Sequence, residues 1–319
     1  MKIVVLERNS VGTDIPVSYD DLGEVIYYDN TVTAEEVAER VKEADIIVTN
    51  KAPINEVSLK DAPNVKLVCV FATGYDTVDI TYCKSRGIPV CNVVDYSTAM
   101  VAQHTFALAL YVSQKLRHYD DYVKSGEYAG QSRFSNFDIP FNELDGKTWG
   151  IVGMGNIGRR VARIAESFGC KVIFYSITGK SSVTEYEQVD FETLLKESDY
   201  LSLHCPLSDL SRNLIDAAAL SKMKKSAILV NVARGPVVNN ADLAKALENG
   251  TIAGAGLDVL EKEPITLDNP LSKQMDSKKL IITPHLAWGS VEARMRCVEG
   301  VRENIKAFQA GGIRNAVDL

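Results

Sequence analysis

A chain of 319 residues is long enough for two domains, each with a core of its own. Its hydrophobic fraction of 46% and charged fraction of 24% are those of an ordinary globular protein, which excludes a disordered or membrane-embedded class. A net charge of −7 without any basic stretch excludes nucleic acid as the partner, since nothing would neutralise a phosphate backbone.

The apolar start Met1 to Leu6 meets Glu7 and Arg8 at once, so it reads as a strand and not as a signal peptide. No apolar run approaches the roughly 20 residues that cross a bilayer, and a cytoplasmic protein with no membrane partner is expected. Six cysteines (69, 83, 91, 170, 205, 297) are scattered without a C-x-x-C pair. That pattern predicts buried, reduced thiols in place of disulfides, and no metal site.

Residues 1 to 95 alternate short Val/Ile-rich strands (Lys2 to Leu6, Glu24 to Tyr28, Ile46 to Thr49, Lys66 to Val70, Pro89 to Asn92) with helices. Thr33 followed three residues later by Glu36 predicts a capping box that opens a helix over 34–42. A second helix is predicted over 77–86, closed by Gly87. Alternation of this kind implies a parallel sheet with helices on both faces. Residues 97–124 predict one long helix, apolar enough in its middle to be buried, that crosses into a second domain. Residues 125–146 are polar, aromatic and irregular, as suits an interface or a lid.

From Lys147 to Ser176 the chain reads strand, glycine turn, helix, strand. Trp149, Ile151 and Val152 lead into Gly153-Met154-Gly155-Asn156-Ile157-Gly158, and an amphipathic stretch then runs to Gly169 before Lys171 to Tyr175. G-x-G-x-x-G in that context predicts a dinucleotide site, with the pyrophosphate on the N–H groups at the helix start. A turn that needs glycine for packing alone is the alternative. Further strands are predicted at 199–204, 227–231, 253–257 and 280–283, with a helix over 241–248 among those between them. The closing amphipathic helix, 291–310, is expected to return to the first domain.

Chemistry is expected at strand ends, where open α/β sheets bind their ligands. Ala72, Thr73 and Gly74 offer N–H groups to an anion, or form a plain tight turn. Arg234, beside Gly235, offers a rigid fork to a carboxylate, or a surface salt bridge. Asp258 ends one apolar strand, and Glu263 is held extended before Pro264. His285 lies between Pro284 and the turn at Gly289, either as a structural histidine or as the proton donor that reduction of a carbonyl needs.

These segments resemble the D-isomer-specific 2-hydroxyacid dehydrogenases in order and over the full length. They are ATGYDTVD (72–79), VAQHTFALAL (101–110), GKTWGIVGMGNIG (146–158), LHCPL (203–207), NVARGPVV (231–238), GLDVLEKEP (256–264) and TPHLAW (283–288). The resemblance implies a Rossmann dinucleotide-binding domain (99–288) inserted into a flavodoxin-like substrate domain (1–98 and 289–319), both doubly wound parallel sheets. It implies that Arg234 binds the substrate carboxylate and polarises the carbonyl, that His285 is the acid/base, and that Glu263 orients and charges it. Ala72, Thr73 and Gly74 would hold the carboxylate's other side, with Trp288 and Phe71 walling a small pocket. The cofactor would meet Gly153, Gly155, Asn156, Ile157 and Gly158, the run His204-Cys205-Pro206, Val232, Ala233, and Asp258 near the carboxamide.

Two departures from the family pattern stand out. Its usual A-E-H reads Ala102-Gln103-His104, on a helix expected to be structural. After Tyr175, where an acidic residue usually stands, the chain has Ser176, Thr178 and Lys180. Without a carboxylate for the ribose hydroxyls, NADP or dual use is expected, unless the loop is indifferent to the phosphate. The Pro-His-Leu-Ala-Trp run is most similar to hydroxypyruvate and glyoxylate reductases (glycerate dehydrogenases). A D-lactate-type or branched 2-hydroxyacid dehydrogenase remains open, as does a dinucleotide-sensing corepressor-like protein. A homodimer through 125–146 is expected. An end at Leu319 leaves no room for regulatory domains of the kind carried by long phosphoglycerate dehydrogenases.

Overall fold

The computed structural model describes residues 1–317, so the last two of the expected 289–319 segment lie outside the described residues. The chain forms two compact units: Met1–Ser97 with the segment from Trp288 onward, and Thr98–Ala287.

The first unit is built on β1 (Lys2–Val5), β2 (Glu24–Tyr27), β3 (Ile46–Thr49), β4 (Leu67–Val70) and β5 (Val90–Cys91). Their order is β2-β1-β3-β4-β5, all parallel, the flavodoxin-like winding. Every residue of β3 and β4 is buried, as a parallel sheet covered on both faces requires. The helix Ala34–Val41 opens with the expected capping box: the Thr33 hydroxyl accepts the Glu36 N–H at 3.2 Å and the Glu36 carboxylate accepts the Thr33 N–H. The last helix, Val291–Gln309, packs here through Gly300, where a Cβ would fall 2.4 Å from a Val93 methyl.

The second unit is built on β6 (Thr148–Val152), β7 (Lys171–Tyr175), β8 (Glu187–Gln188), β9 (Tyr200–Leu203), β10 (Ile228–Asn231), β11 (Gly254–Leu257) and β12 (Leu280–Ile282). The sheet order β12-β11-β10-β9-β6-β7-β8 reverses direction between β6 and β9, which is the Rossmann winding and its switch point. The short edge strand β8, which pairs with β7, has no apolar pattern and was not expected.

Residues 97–124 are not one helix. A buried helix, Thr98–Ser113, is followed by Lys115 in the left-handed region (φ +57°) and by a separate helix, Leu116–Lys124. The first is apolar on most sides, whereas the second has no buried residue, so the chain turns where the burial changes. Gly254 and Gly256 let the first helix lie close on β11. A Cβ at these glycines would stand 2.4 Å from a Val112 methyl and 2.7 Å from the Leu108 Cβ. Among the described residues no helix is long and apolar enough to cross a membrane. All six cysteines are buried and free.

Candidate active site

The glycine turn stands at the switch point, between β6 and the helix Asn156–Ser167. Gly153 takes φ +92°, and a Cβ on it would press on the backbone of His204 and Cys205 at 3.0 Å. At Gly158 a Cβ would fall 2.2 Å from the Gly153 carbonyl oxygen, so only glycine lets the helix start fold back over the turn. Gly155, in contrast, faces open space and caps the helix without a side-chain hydrogen bond. The N–H groups of Asn156 and Ile157 therefore begin a helix with its positive dipole end uncovered, the arrangement that receives a phosphate.

Beside this turn, at the end of β9, His204 Nε2 lies 2.9 Å from the Ser202 hydroxyl, which itself accepts the Trp149 indole N–H at 2.9 Å. The other ring nitrogen, Nδ1, is enclosed and without a hydrogen-bond partner. Burial pushes the ring down to about 3, so it stays neutral. Cys205 is buried and its thiol is held protonated, pushed up to about 11. An open glycine cradle and an unpartnered buried ring nitrogen fit a dinucleotide.

The second half of the cofactor region lies at the end of β7. A cavity of about 610 Å³ is lined there by Tyr175, Ser176, Thr178, Gly179 and Asp190, among others. The Ser176 hydroxyl donates to the Lys180 carbonyl at 3.2 Å, and Thr178 reaches the same oxygen at 3.5 Å. A carboxylate does stand in this wall, from the far side of the sheet edge. Asp190 caps the helix Phe191–Glu197, and the Thr193 N–H and hydroxyl it accepts hold its carboxyl below the usual range.

Three adjacent strands, β10, β11 and β12, present Arg234, the 258–263 loop and His285 at their C-terminal ends. The buried Asn231 shapes the first turn: its amide donates to the Arg234 carbonyl at 3.0 Å and its oxygen accepts the Ala233 N–H at 3.0 Å. Val232 is half-buried and Ala233 buried in that same turn. Gly235 then lies directly on the next loop, since a Cβ there would fall 1.8 Å from the Leu260 carbonyl oxygen. The Arg234 guanidinium donates to the Ala233 carbonyl at 2.8 Å. Glu263 precedes a cis peptide bond to Pro264; its Oε1 accepts the Leu260 N–H at 2.9 Å and its Oε2 lies 2.6 Å from His285 Nδ1. His285 sits at φ +53°, with its N–H on the Asp258 carbonyl at 2.9 Å. Asp258, 2% exposed, accepts the N–H groups of Leu286 at 2.9 Å and Ala287 at 2.8 Å. It also accepts the Thr283 hydroxyl at 2.6 Å, and that oxygen lies 2.9 Å from His104 Nε2. Sequence reasoning missed His104, Thr283 and Asn231 as members of this site.

In the first unit, Ala72, Thr73 and Gly74 follow β4. The Thr73 hydroxyl donates to the Val93 carbonyl at 2.8 Å, and Asn92 donates to the Thr73 carbonyl at 2.7 Å. Trp288 packs edge-on against Tyr96, with ring centroids 6.2 Å apart. Phe71 does not wall a pocket: directly after β4 its ring turns into the core, wholly buried and stacked with Tyr19 at 6.4 Å. Among the described residues no group of three His, Cys, Asp or Glu could hold a metal ion.

Rossmann winding, a glycine cradle and an imidazole–carboxylate pair at the strand ends define a nicotinamide-dependent oxidoreductase. Residues 106–287 match the family model described as D-isomer specific 2-hydroxyacid dehydrogenase, NAD binding domain. The chain is 38% identical to a hydroxypyruvate reductase of Blautia hydrogenotrophica, with all of both chains covered. It is also 38% identical to a glycerate dehydrogenase of Methylorubrum extorquens, with 99% of each covered. Among solved structures, an acyclic imino acid reductase in complex with NADPH and D-Arg superposes with a TM-score of 0.89 at 30% identity, over 99% of this chain and 100% of that one. The chain belongs to the D-isomer specific 2-hydroxyacid dehydrogenase family. It is an NAD(P)-dependent oxidoreductase acting on small hydroxy and keto acids.

Proposed function

We propose that the chain reduces a short, polar 2-keto acid, hydroxypyruvate or glyoxylate, to the D-2-hydroxy acid. The observation that carries the reading is the 2.6 Å contact between His285 Nδ1 and Glu263, on the strand next to the one that carries Arg234. When bound, the dihydronicotinamide supplies the hydride. The planar Arg234 fork holds the substrate carboxylate and polarises the keto oxygen. With Nδ1 committed to Glu263, His285 gives its Nε2 proton to the oxygen that becomes the alcohol. Glu263 fixes the ring through its 2.6 Å contact with Nδ1. Two relatives named for hydroxypyruvate and glycerate support the short substrate.

For the cofactor, the first helix turn and His204 Nδ1 serve the dinucleotide's phosphates and ribose, with Pro206, Val232, Ala233 and Asp258 along its length. Ser176 and Thr178 line the cavity that a 2′-phosphate would enter, with Lys180 next in the chain and the Asp190 carboxylate in the same wall, so NADPH is used as well as NADH; structural relatives that hold NADPH and NAD support dual use. Homodimer formation through 125–146 is part of the same reading. It is supported by Phe134, Phe137 and Phe141, exposed at 88, 75 and 52%.

The test is a panel of hydroxypyruvate, glyoxylate, pyruvate and 2-ketoisocaproate with NADH and NADPH at fixed ionic strength. Highest kcat/KM for the first two, lost in His285→Ala and lowered in Glu263→Gln, is expected. Highest kcat/KM on 2-ketoisocaproate would move the chain to the branched-acid group. Dinucleotide binding without turnover of any acid would make it a sensing protein, and a strong NADH preference would overturn the phosphate reading.

A further inference from the structure

The catalytic loop is held from behind by a residue far away in sequence. In the helix Thr98–Ser113, Val112 lies over Gly254 of β11 and Leu108 over Gly256. One helical step of four residues advances about 6 Å, close to two residues of strand, so the next pair in register is His104 over Asp258. They meet there: His104 Nε2 is 3.5 Å from Asp258 Oδ1 and 2.9 Å from the Thr283 hydroxyl oxygen. Thr283 donates its own proton to Asp258 at 2.6 Å, so its oxygen accepts from His104, whose proton is therefore on Nε2.

The chain His104 to Thr283 to Asp258 ends on the backbone that carries the acid/base. Asp258 binds the N–H groups of Leu286 and Ala287 through its carboxylate and that of His285 through its carbonyl. His285 itself occupies the left-handed region, which a side chain other than glycine holds only when its surroundings over-determine it. Asp258 is a nearly buried carboxylate whose orientation depends on its donors.

We propose that His104 is a positioning residue for His285, acting through Thr283 and Asp258; the inference rests on the acid/base reading of His285. Removing the His104 donor frees Thr283 to rotate, loosens Asp258, and lets the His285 ring drift from the geometry that proton transfer needs.

The experiment compares His104→Phe, which keeps ring packing, with His104→Gln, whose amide Nε2 can donate to the same oxygen, and with Thr283→Val. Each is assayed for kcat, KM, dinucleotide affinity by fluorescence titration, and melting temperature. His104→Phe and Thr283→Val are expected to lower kcat by roughly 10- to 100-fold, since misplacement of about 1 Å costs that order. Dinucleotide affinity should fall by less than kcat does, and His104→Gln should return kcat to within about threefold of wild type. The double variant should lose no more than the worse single one, as members of one chain do. Wild-type kcat in His104→Phe overturns the proposal. So does an equal fall in His104→Phe and His104→Gln, or a loss confined to dinucleotide affinity. If His104→Phe does not fold, unchanged kcat in Thr283→Val overturns it alone. An active His285→Ala would instead remove the acid/base reading, whereas an inactive one beside a fully active His104→Phe removes only this inference.

Discussion

Substituting lysine at Arg234 separates charge from shape, because the Asn231 amide fixes the turn while the guanidinium supplies the fork. If the fork grips a carboxylate, Arg234→Lys should lose roughly 10- to 1000-fold in kcat/KM, about 1.4–4 kcal/mol, with the fold intact by circular dichroism. Near-wild-type kinetics would show that charge alone suffices. The positions of Arg234, Glu263 and His285 at strand ends were legible because glycine and proline punctuate the sequence beside each. The link from His104 to Thr283 was not legible. It spans 179 residues and depends on a helix–strand register set by two glycines. Phe71 was misread for a related reason, since a residue at a strand end gives no sign in sequence of which side its ring takes.

The loops between strands act as packed elements, and two of them yield tests. Gly235 lies against Leu260 and Glu261, so a side chain there must push the Arg234 turn away from the 258–263 loop. Gly235→Ala should cost about 1–3 kcal/mol of stability, as overpacking does, and should lower kcat/KM as well. Unchanged denaturant midpoint and activity would mean that the two loops are not in close contact. The second test concerns His204 after β9. Its pKa falls from 6.5 to about 3 in the folded unit, so between those values the unfolded chain binds the extra proton. Folding stability should therefore decline as pH falls below about 6.5, in part through this ring, and His204→Gln should flatten the decline. Parallel melting curves for both proteins from pH 7 to 5 would exclude the assignment. Elements with strong local signals were readable: the Thr33–Glu36 capping box, the glycine turn and the Val/Ile strands. The break at Lys115 was not, because no proline or glycine marks it and a left-handed lysine depends on what the two flanking helices pack against.

At the scale of the whole molecule, the segment from Ser125 to Gly146 has no counterpart in the windings of either sheet. Beyond the short helix Glu127–Gly130 it contains no regular element, yet it is tied down by the Tyr119 hydroxyl of the preceding helix on the Ile139 carbonyl at 2.7 Å and by its own Tyr128 hydroxyl on the Phe134 carbonyl at 3.0 Å. An ordered loop that turns phenylalanines outward spends hydrophobic surface on water unless something covers it. A second copy of the chain is the proposed cover, and burying one phenylalanine side chain is worth about 1.5–3 kcal/mol. The double substitution Phe134→Ser with Phe137→Ser removes two such contributions per protomer without touching either sheet, so the protomer's fold should persist while association weakens. Sedimentation velocity across a concentration series is the measurement. The wild type should sediment as a dimer, the double variant should shift to monomer at micromolar concentration, and far-ultraviolet circular dichroism should remain the same for both. A variant that stays dimeric at the wild-type dissociation constant would place the interface elsewhere, and a monomeric wild type would remove the dimer altogether.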